Sequence, residues 1–193
     1  MSEIEKLIER HEKDLDPLEI EGYRNLVSEL DDFFEAESNM SIDDNHQIET
    51  FASVALESSD IVRAMRKFYG KPMFSNVTIS AKDEEGNDVT WYGLVSSQAR
   101  HFSTHIYDFQ HNIITYQVLL ILKFYTASGR EPLHFALVRW YDQIDEITEI
   151  SGCPRVKLID QYSCIPLESV DQTVHIVSRF GKENKYLVNT FIF

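Results

Sequence analysis

The chain has 193 residues, 43% apolar and 12% aromatic, enough to bury one ordinary core with an appendage, and seven Gly and five Pro exclude a fibrous or low-complexity chain. Its net charge of −14 is concentrated at one end: residues 1–50 hold 16 acids against 4 bases, and residues 51–193 hold 16 against 14. This argues against generic DNA binding through many phosphate contacts and leaves room for a local contact with an acidic partner.

The opening MSEIEKLIER carries neither the apolar core of a signal peptide nor an Arg-rich transit pattern. Ser2 followed by Glu5 predicts a capping box, with Ile4, Leu7, Ile8 and Leu15 marking one helical face. A second helix restarts at Asp16-Pro17, where Asp16 caps, Pro17 takes the first helical position and Glu19 completes another box. Tyr23, Leu26, Val27, Leu30, Phe33 and Phe34 form its apolar stripe, which needs a surface to pack on. Glu29, Asp31, Asp32, Glu35 and Glu37 read as its solvated face.

A polar link, ESNMSIDDNH, then gives way to β texture. MFSNVTISA and VTWYGLV alternate as strands around the turn KDEEGND. IITYQVLLILKFYTA is apolar on both faces, as a central strand is, and is too short and too interrupted to cross a bilayer. LHFALVRWY follows after SGREP, then short strands at RVKLI, SCIPL, TVHIVS and YLVNTFIF. The predicted fold is α+β and mainly β: a small antiparallel β-barrel-like domain preceded by an acidic helical segment. Its expected parts are acidic amphipathic helices over 1–40, a connector with a basic stretch over 41–72, and an accessory barrel-like domain over 73–193.

Few residues suggest chemistry. Cys153 and Cys164 lack a C-x-x-C spacing and read as reduced thiols. His101, His105 and His111 have no Cys to complete a zinc site, with Asp108 the only carboxylate among them, so neither metal nor cofactor is expected. There is no G-x-S-x-G, P-loop or dinucleotide glycine pattern, and the expectation is a non-enzyme.

The stretch Ile61 to Lys82 differs because it contains no acid, while Arg63, Arg66, Lys67 and Lys71 crowd around Phe68 and Tyr69. Such a patch suits phosphates, an acidic peptide or the chain's own acidic helices, which are tethered at high effective concentration. A second group, Arg139, Trp140 and Tyr141, ends the LHFALVRWY strand and joins the binding candidates. Strand alternation puts Leu133, Phe135, Leu137, Arg139 and Tyr141 on one face and Ala136, Val138 and Trp140 on the other. On that reading Trp140 belongs to the core and needs one acceptor for its indole N–H, while Arg139 leaves the strand end to pair with Asp142 or a neighbouring acid.

ETFASVAL, DIVRAMRKFYGKPMFSNVTIS, LHFALVRWYDQI, CPRVKL and IPLESVDQTVHIVSRFGKENKYLVNTFIF together resemble the C-terminal region of fungal transposon-encoded proteins of the Plavaka type. Ile61 to Phe74, Ala136 to Tyr141 and Val174 to Phe193 match that family's ordered blocks, with Ser178 where the family commonly has Pro. The resemblance covers about residues 46–193 and implies that the catalytic nuclease core of the full-length relatives lies upstream, so no catalytic residue carries over. In architecture the block is also similar to bromo-adjacent-homology modules, which mediate chromatin and protein contacts. The resulting expectation is an intracellular and, on the chromatin reading, nuclear protein-interaction module derived from a transposase-like protein. The alternative is a nucleic-acid contact module retained from a transposase.

Overall fold

The structure is a computed structural model that describes residues 8–9, 13–38, 46–79, 81–82, 88–89, 115–125, 131–144, 153–179 and 181–189. The predicted first-helix cap at Ser2, the VTWYGLV strand beyond Val89 and the three-histidine segment lie outside them.

Helix α1 spans Pro17–Ser38 and begins as the sequence specifies. Asp16 Oδ1 accepts the Leu18 N–H at 2.9 Å and Glu19 Oε2 accepts the Asp16 N–H at 2.9 Å, so each satisfies a donor the helix start would leave orphaned. Among the described residues twelve strands follow: β1 Gln47–Phe51, β2 Ser53–Ala55, β3 Ile61–Phe68, β4 Lys71–Phe74, β5 Asn76–Ile79, β6 Ala81–Lys82, β7 Asp88–Val89, β8 Thr115–Tyr125, β9 Leu133–Ile144, β10 Arg155–Pro166, β11 Val170–Ser178 and β12 Tyr186–Asn189. Within the stretch 41–72 expected as a connector, residues 47–72 form β1, β2, β3 and the start of β4. The 47–51 run lacks an apolar alternation, and its register is supplied from afar by antiparallel pairing with Ile121 to Tyr125 of β8. RVKLI and SCIPL, expected as two strands, are one continuous β10.

The large sheet runs β1-β8-β5-β11-β12-β10-β9, and β8 pairs again with β9, closing six antiparallel strands into a barrel. Closure removes two exposed edges that would otherwise recruit another chain. A separate sheet, β2-β3-β4, carries the basic stretch.

Two of the wall's register shifts, both against β9, set where side chains go. Val118 opposes Val138 while Leu120 opposes Leu137, so Leu119 is one residue too many on β8. The slip reverses the alternation: Tyr116, Val118 and Ile121 share one face, and Leu120, Leu122 and Phe124 share the other. The first face packs with Val62 and Ala64 of β3. The second packs with Leu26, Leu30 and Phe34 of α1, joined by Phe135, Leu137 and Cys164. On β10 the shift lies between Leu158 and Tyr162, opposite Tyr141 and Arg139, and leaves Ile159 to Gln161 outside the regular ladder.

The helix is therefore half of a core. Its buried face steps by four from Gly22 through Leu26 and Leu30 to Phe34, and Phe34 meets Phe124 and Phe135 with ring centroids 4.8 and 5.9 Å apart. Val27, placed in the apolar stripe from sequence, is 41% exposed. Glu29, placed on the solvated face, is instead half-buried beside Cys164; burial, then the charge of Asp32, pushes its carboxyl up to about 7. Cys153 and Cys164 are free and buried. Among the described residues no helix is long and apolar enough to cross a membrane.

Candidate functional site

The structure separates the two groups of candidate residues. Arg139, Trp140 and Tyr141 are consecutive on β9, so their side chains leave on alternate faces and each finds partners within the protein. Trp140 lies in the cluster with Tyr116, Val118 and Val138, and its indole N–H donates to Ser163 Oγ at 3.1 Å. Tyr141 is buried, packs edge-on to Tyr186 with centroids 5.5 Å apart, and donates its hydroxyl to Asn76 Oδ1 at 3.0 Å. Burial, then the neighbouring Tyr186, raises its phenol above the usual tyrosine range, with Arg139 opposing them.

Arg139 does not escape to Asp142, which pairs with Lys157 at 3.0 Å. Its Nε donates to the Ile159 carbonyl at 2.8 Å, one Nη donates to Glu21 Oε1 at 2.9 Å, and the other pairs with Asp160. The β10 irregularity creates this arrangement: residues outside the ladder turn a carbonyl and a carboxylate onto the guanidinium. Tyr162, directly opposite Arg139, donates its hydroxyl to the same Glu21 oxygen at 3.0 Å. Burial, then the hydrogen bond to Glu21, pushes the Tyr162 phenol up to about 12, so it stays protonated and a donor. This constellation fastens α1 to the barrel. Glu21, Asp160 and Tyr162 carry no sequence signal for this role, because they lie 118, 21 and 23 positions from Arg139 and only the packing of α1 and the β10 bulge bring them together.

Arg63, Arg66, Lys67 and Lys71 remain together, on the hairpin made by β3 and β4. Phe68 opposes Lys71 across a two-residue turn in which Tyr69 and Gly70 have φ of 49° and 81°. Left-handed conformations at both central residues match the twist of the flanking strands, and glycine takes the second without steric cost. A Cβ at Gly70 would meet nothing within 4 Å, so the backbone conformation, not space, selects glycine there.

The turn leaves Tyr69 94% exposed, touched by Phe68 edge-on at 4.7 Å between centroids. The Arg63 guanidinium lies 4.6 Å from the Phe68 ring centroid, a cation–π contact that fixes one cation beside the aromatic pair. Lys67 and Lys71 are exposed. Arg66 Nη1 stands 3.7 Å from Asp14 Oδ1, just ahead of α1.

The hairpin's base is tied to the barrel. The Ser75 N–H donates to the Arg63 carbonyl at 2.8 Å, Ser75 Oγ accepts the Arg63 N–H at 2.9 Å, and the Ser75 carbonyl accepts the Val118 N–H at 2.9 Å. Val62 and Ala64 anchor its inner face among buried residues. The result is a supported projection with an aromatic tip and flanking cations. Among the described residues, no group of three or more His, Cys, Asp or Glu side chains converges as metal ligands would.

The class these features define is a closed six-stranded antiparallel barrel, strapped by one helix and bearing a basic, aromatic-tipped hairpin. Comparison of the chain with protein families, curated proteins and solved structures finds no match.

Proposed function

We propose that this chain is a non-catalytic interaction module that contacts a protein partner through the β3–β4 hairpin. The observation that carries the reading is Tyr69: a large aromatic, 94% exposed at the tip of a hairpin tied to the barrel, with cations on both strands. Tyr and Arg dominate the energetics of protein interfaces, because each joins a broad apolar surface to a polar end. A rigid base lowers the conformational entropy lost on binding. The chromatin association and the descent from the C-terminal part of a transposase-like protein rest on the sequence resemblance.

A second reading is contact with nucleic acid. Phe68 and Tyr69 amid four cations are the residue types that stack bases and neutralise phosphates on single strands. The acidity of the whole chain weighs against it, since a surrounding negative field opposes the approach of a polyanion.

The test is photocrosslinking in cells from a photoreactive phenylalanine at position 69, with the same group at Val177 as a second exposed position on β11. A discrete protein adduct from position 69, lost with Lys67→Ala/Lys71→Ala, supports the reading. A nuclease-sensitive adduct selects nucleic acid instead. Identical adduct patterns from the two positions would refute the hairpin as the binding face.

A further inference from the structure

Resting on the hairpin as binding face, we infer that its partner offers an acidic polypeptide segment, and that Asp14, just ahead of α1, occupies part of the same face in cis. Charge complementarity carries the first half. Ile61 to Lys82 contains no acid, and Lys67 and Lys71 stand exposed without a carboxylate in ion-pair range among the described residues. The remaining surface requirement is a carboxylate spacing that reaches Arg66, Lys67 and Lys71 around one aromatic tip.

The second half rests on the ion pair already in place. Asp14 is 71% and Arg66 48% exposed, yet the carboxylate stands 3.7 Å from the guanidinium. The chain thus seats on its own hairpin the same chemical group that the partner would bring. A single exposed pair is weak, but α1, packed on the barrel, begins three positions after Asp14 and keeps the carboxylate near the arginine. An acidic partner must displace Asp14 to use all four cations, which sets a threshold on its affinity and favours a segment with several carboxylates over one with few.

The experiment measures binding of fluorescein-labelled decaglutamate and of fluorescein-labelled oligo-dT to the full chain, at low and at high salt. Decaglutamate is expected to bind with salt-sensitive affinity, and Asp14→Asn is expected to tighten it about two- to fivefold, the worth of one exposed pair. Adding Lys67→Ala and Lys71→Ala to Asp14→Asn should remove the gain. An Asp14→Asn variant of unchanged affinity, with binding still weakened by the two lysine substitutions, overturns the cis contact and leaves the hairpin as binding face. Binding of oligo-dT through Lys67 and Lys71, without binding of decaglutamate, overturns the acidic-polypeptide assignment and keeps the hairpin. Indifference of both probes to all hairpin substitutions overturns this inference together with the reading beneath it. Asp14, Lys67 and Lys71 are exposed, so circular dichroism should show each variant folded.

Discussion

Arg139 on β9 and Glu21 on α1 meet at 2.9 Å across 118 positions of sequence, and the contact decides where the helix sits. Both side chains are mostly withdrawn from water, with side-chain exposures of 16% and 27%, so the pair is less screened than one on an open surface. Glu21 Oε1 accepts from Arg139 and from Tyr162, which fixes the first turns of α1 against β9 and β10 together.

Removing Glu21 leaves Arg139 with Asp160 and Ile159, whereas removing Arg139 takes the side-chain donor from the Ile159 carbonyl and leaves the partly buried Glu21 carboxylate with Tyr162 alone. Glu21→Ala should lower stability by about 1–2 kcal/mol and Arg139→Met by about 2–3 kcal/mol. Arg139→Lys should recover less than half of the loss, because one ammonium cannot reproduce the three-way fork. Urea unfolding midpoints check all three. Equal stability of Arg139→Lys and the parent would show that the fork geometry is unimportant.

Gly22 is the point of closest approach between α1 and β8. A Cβ there would lie 2.8 Å from Leu120 Cγ and 3.3 Å from Leu119 Cβ. Helix propensity alone favours Ala over Gly by about 1 kcal/mol. The overlap with two buried side chains should outweigh it, so Gly22→Ala is expected to destabilise by about 1–2 kcal/mol. In Leu120→Ala, which removes the two nearest obstructing atoms and leaves Leu119 Cβ, the same change should turn close to neutral. A double-mutant cycle without coupling would mean that the helix stands farther from the sheet than a 2.8 Å approach to Leu120 Cγ implies.

Glu29 gives a pH dependence of definite sign. Its folded-state value of about 7 lies above the ordinary 4.5, so between those values the folded chain binds more protons than the unfolded one. Its contribution to stability is therefore present at low pH and is lost as pH rises from about 4.5 through about 7. Glu29→Gln, which does not titrate, should be close to the parent near pH 5 and more stable near pH 8. The difference should be about 1 kcal/mol, less than a fully buried carboxyl would show, because water still reaches this group. Thermal unfolding at the two pH values checks it, and an advantage confined to low pH would contradict the sign.

Cys164 is 4% exposed and Cys153 is 8% exposed. Burial, then the nearby Glu29 carboxylate, raises the Cys164 thiol beyond the usual thiol range, and the thiolate is the reactive form. A thiol reagent should modify the native protein slowly and take up both equivalents once it is denatured. Rapid labelling of Cys164 in the native state would mean that α1 lifts from β10 on the reagent's timescale.

Some of this architecture is local enough to read from the chain. Asp16, Pro17 and Glu19 specify the start of α1 within four residues, because an orphaned helix N-terminus is satisfied by its immediate neighbours. The two-faced apolar runs at 115–125 and 133–144 mark β8 and β9 as strands with neighbours on both sides, and the sheet order agrees. The cations of 61–71 and their aromatic neighbours are consecutive enough that any hairpin would keep them together.

The remaining features depend on partners distant in sequence. A one-residue slip at Leu119 assigns Leu120 and Ile121 to opposite faces from the ones simple alternation from Tyr116 would give, and only the pairing with β9 shows it. Residues 47–51 have little apolar pattern and become a strand because β8 offers a ladder of donors and acceptors. Glu29 looks like one more acid on a solvated helix until the rotation of α1, set by Gly22 against Leu120 and by Glu21 on Arg139, turns it toward Cys164. Helical period, capping and charge runs are properties of adjacent residues and survive as local preferences. Strand register, bulges and the destination of a charged side chain are settled by groups tens of residues away, once the barrel has closed.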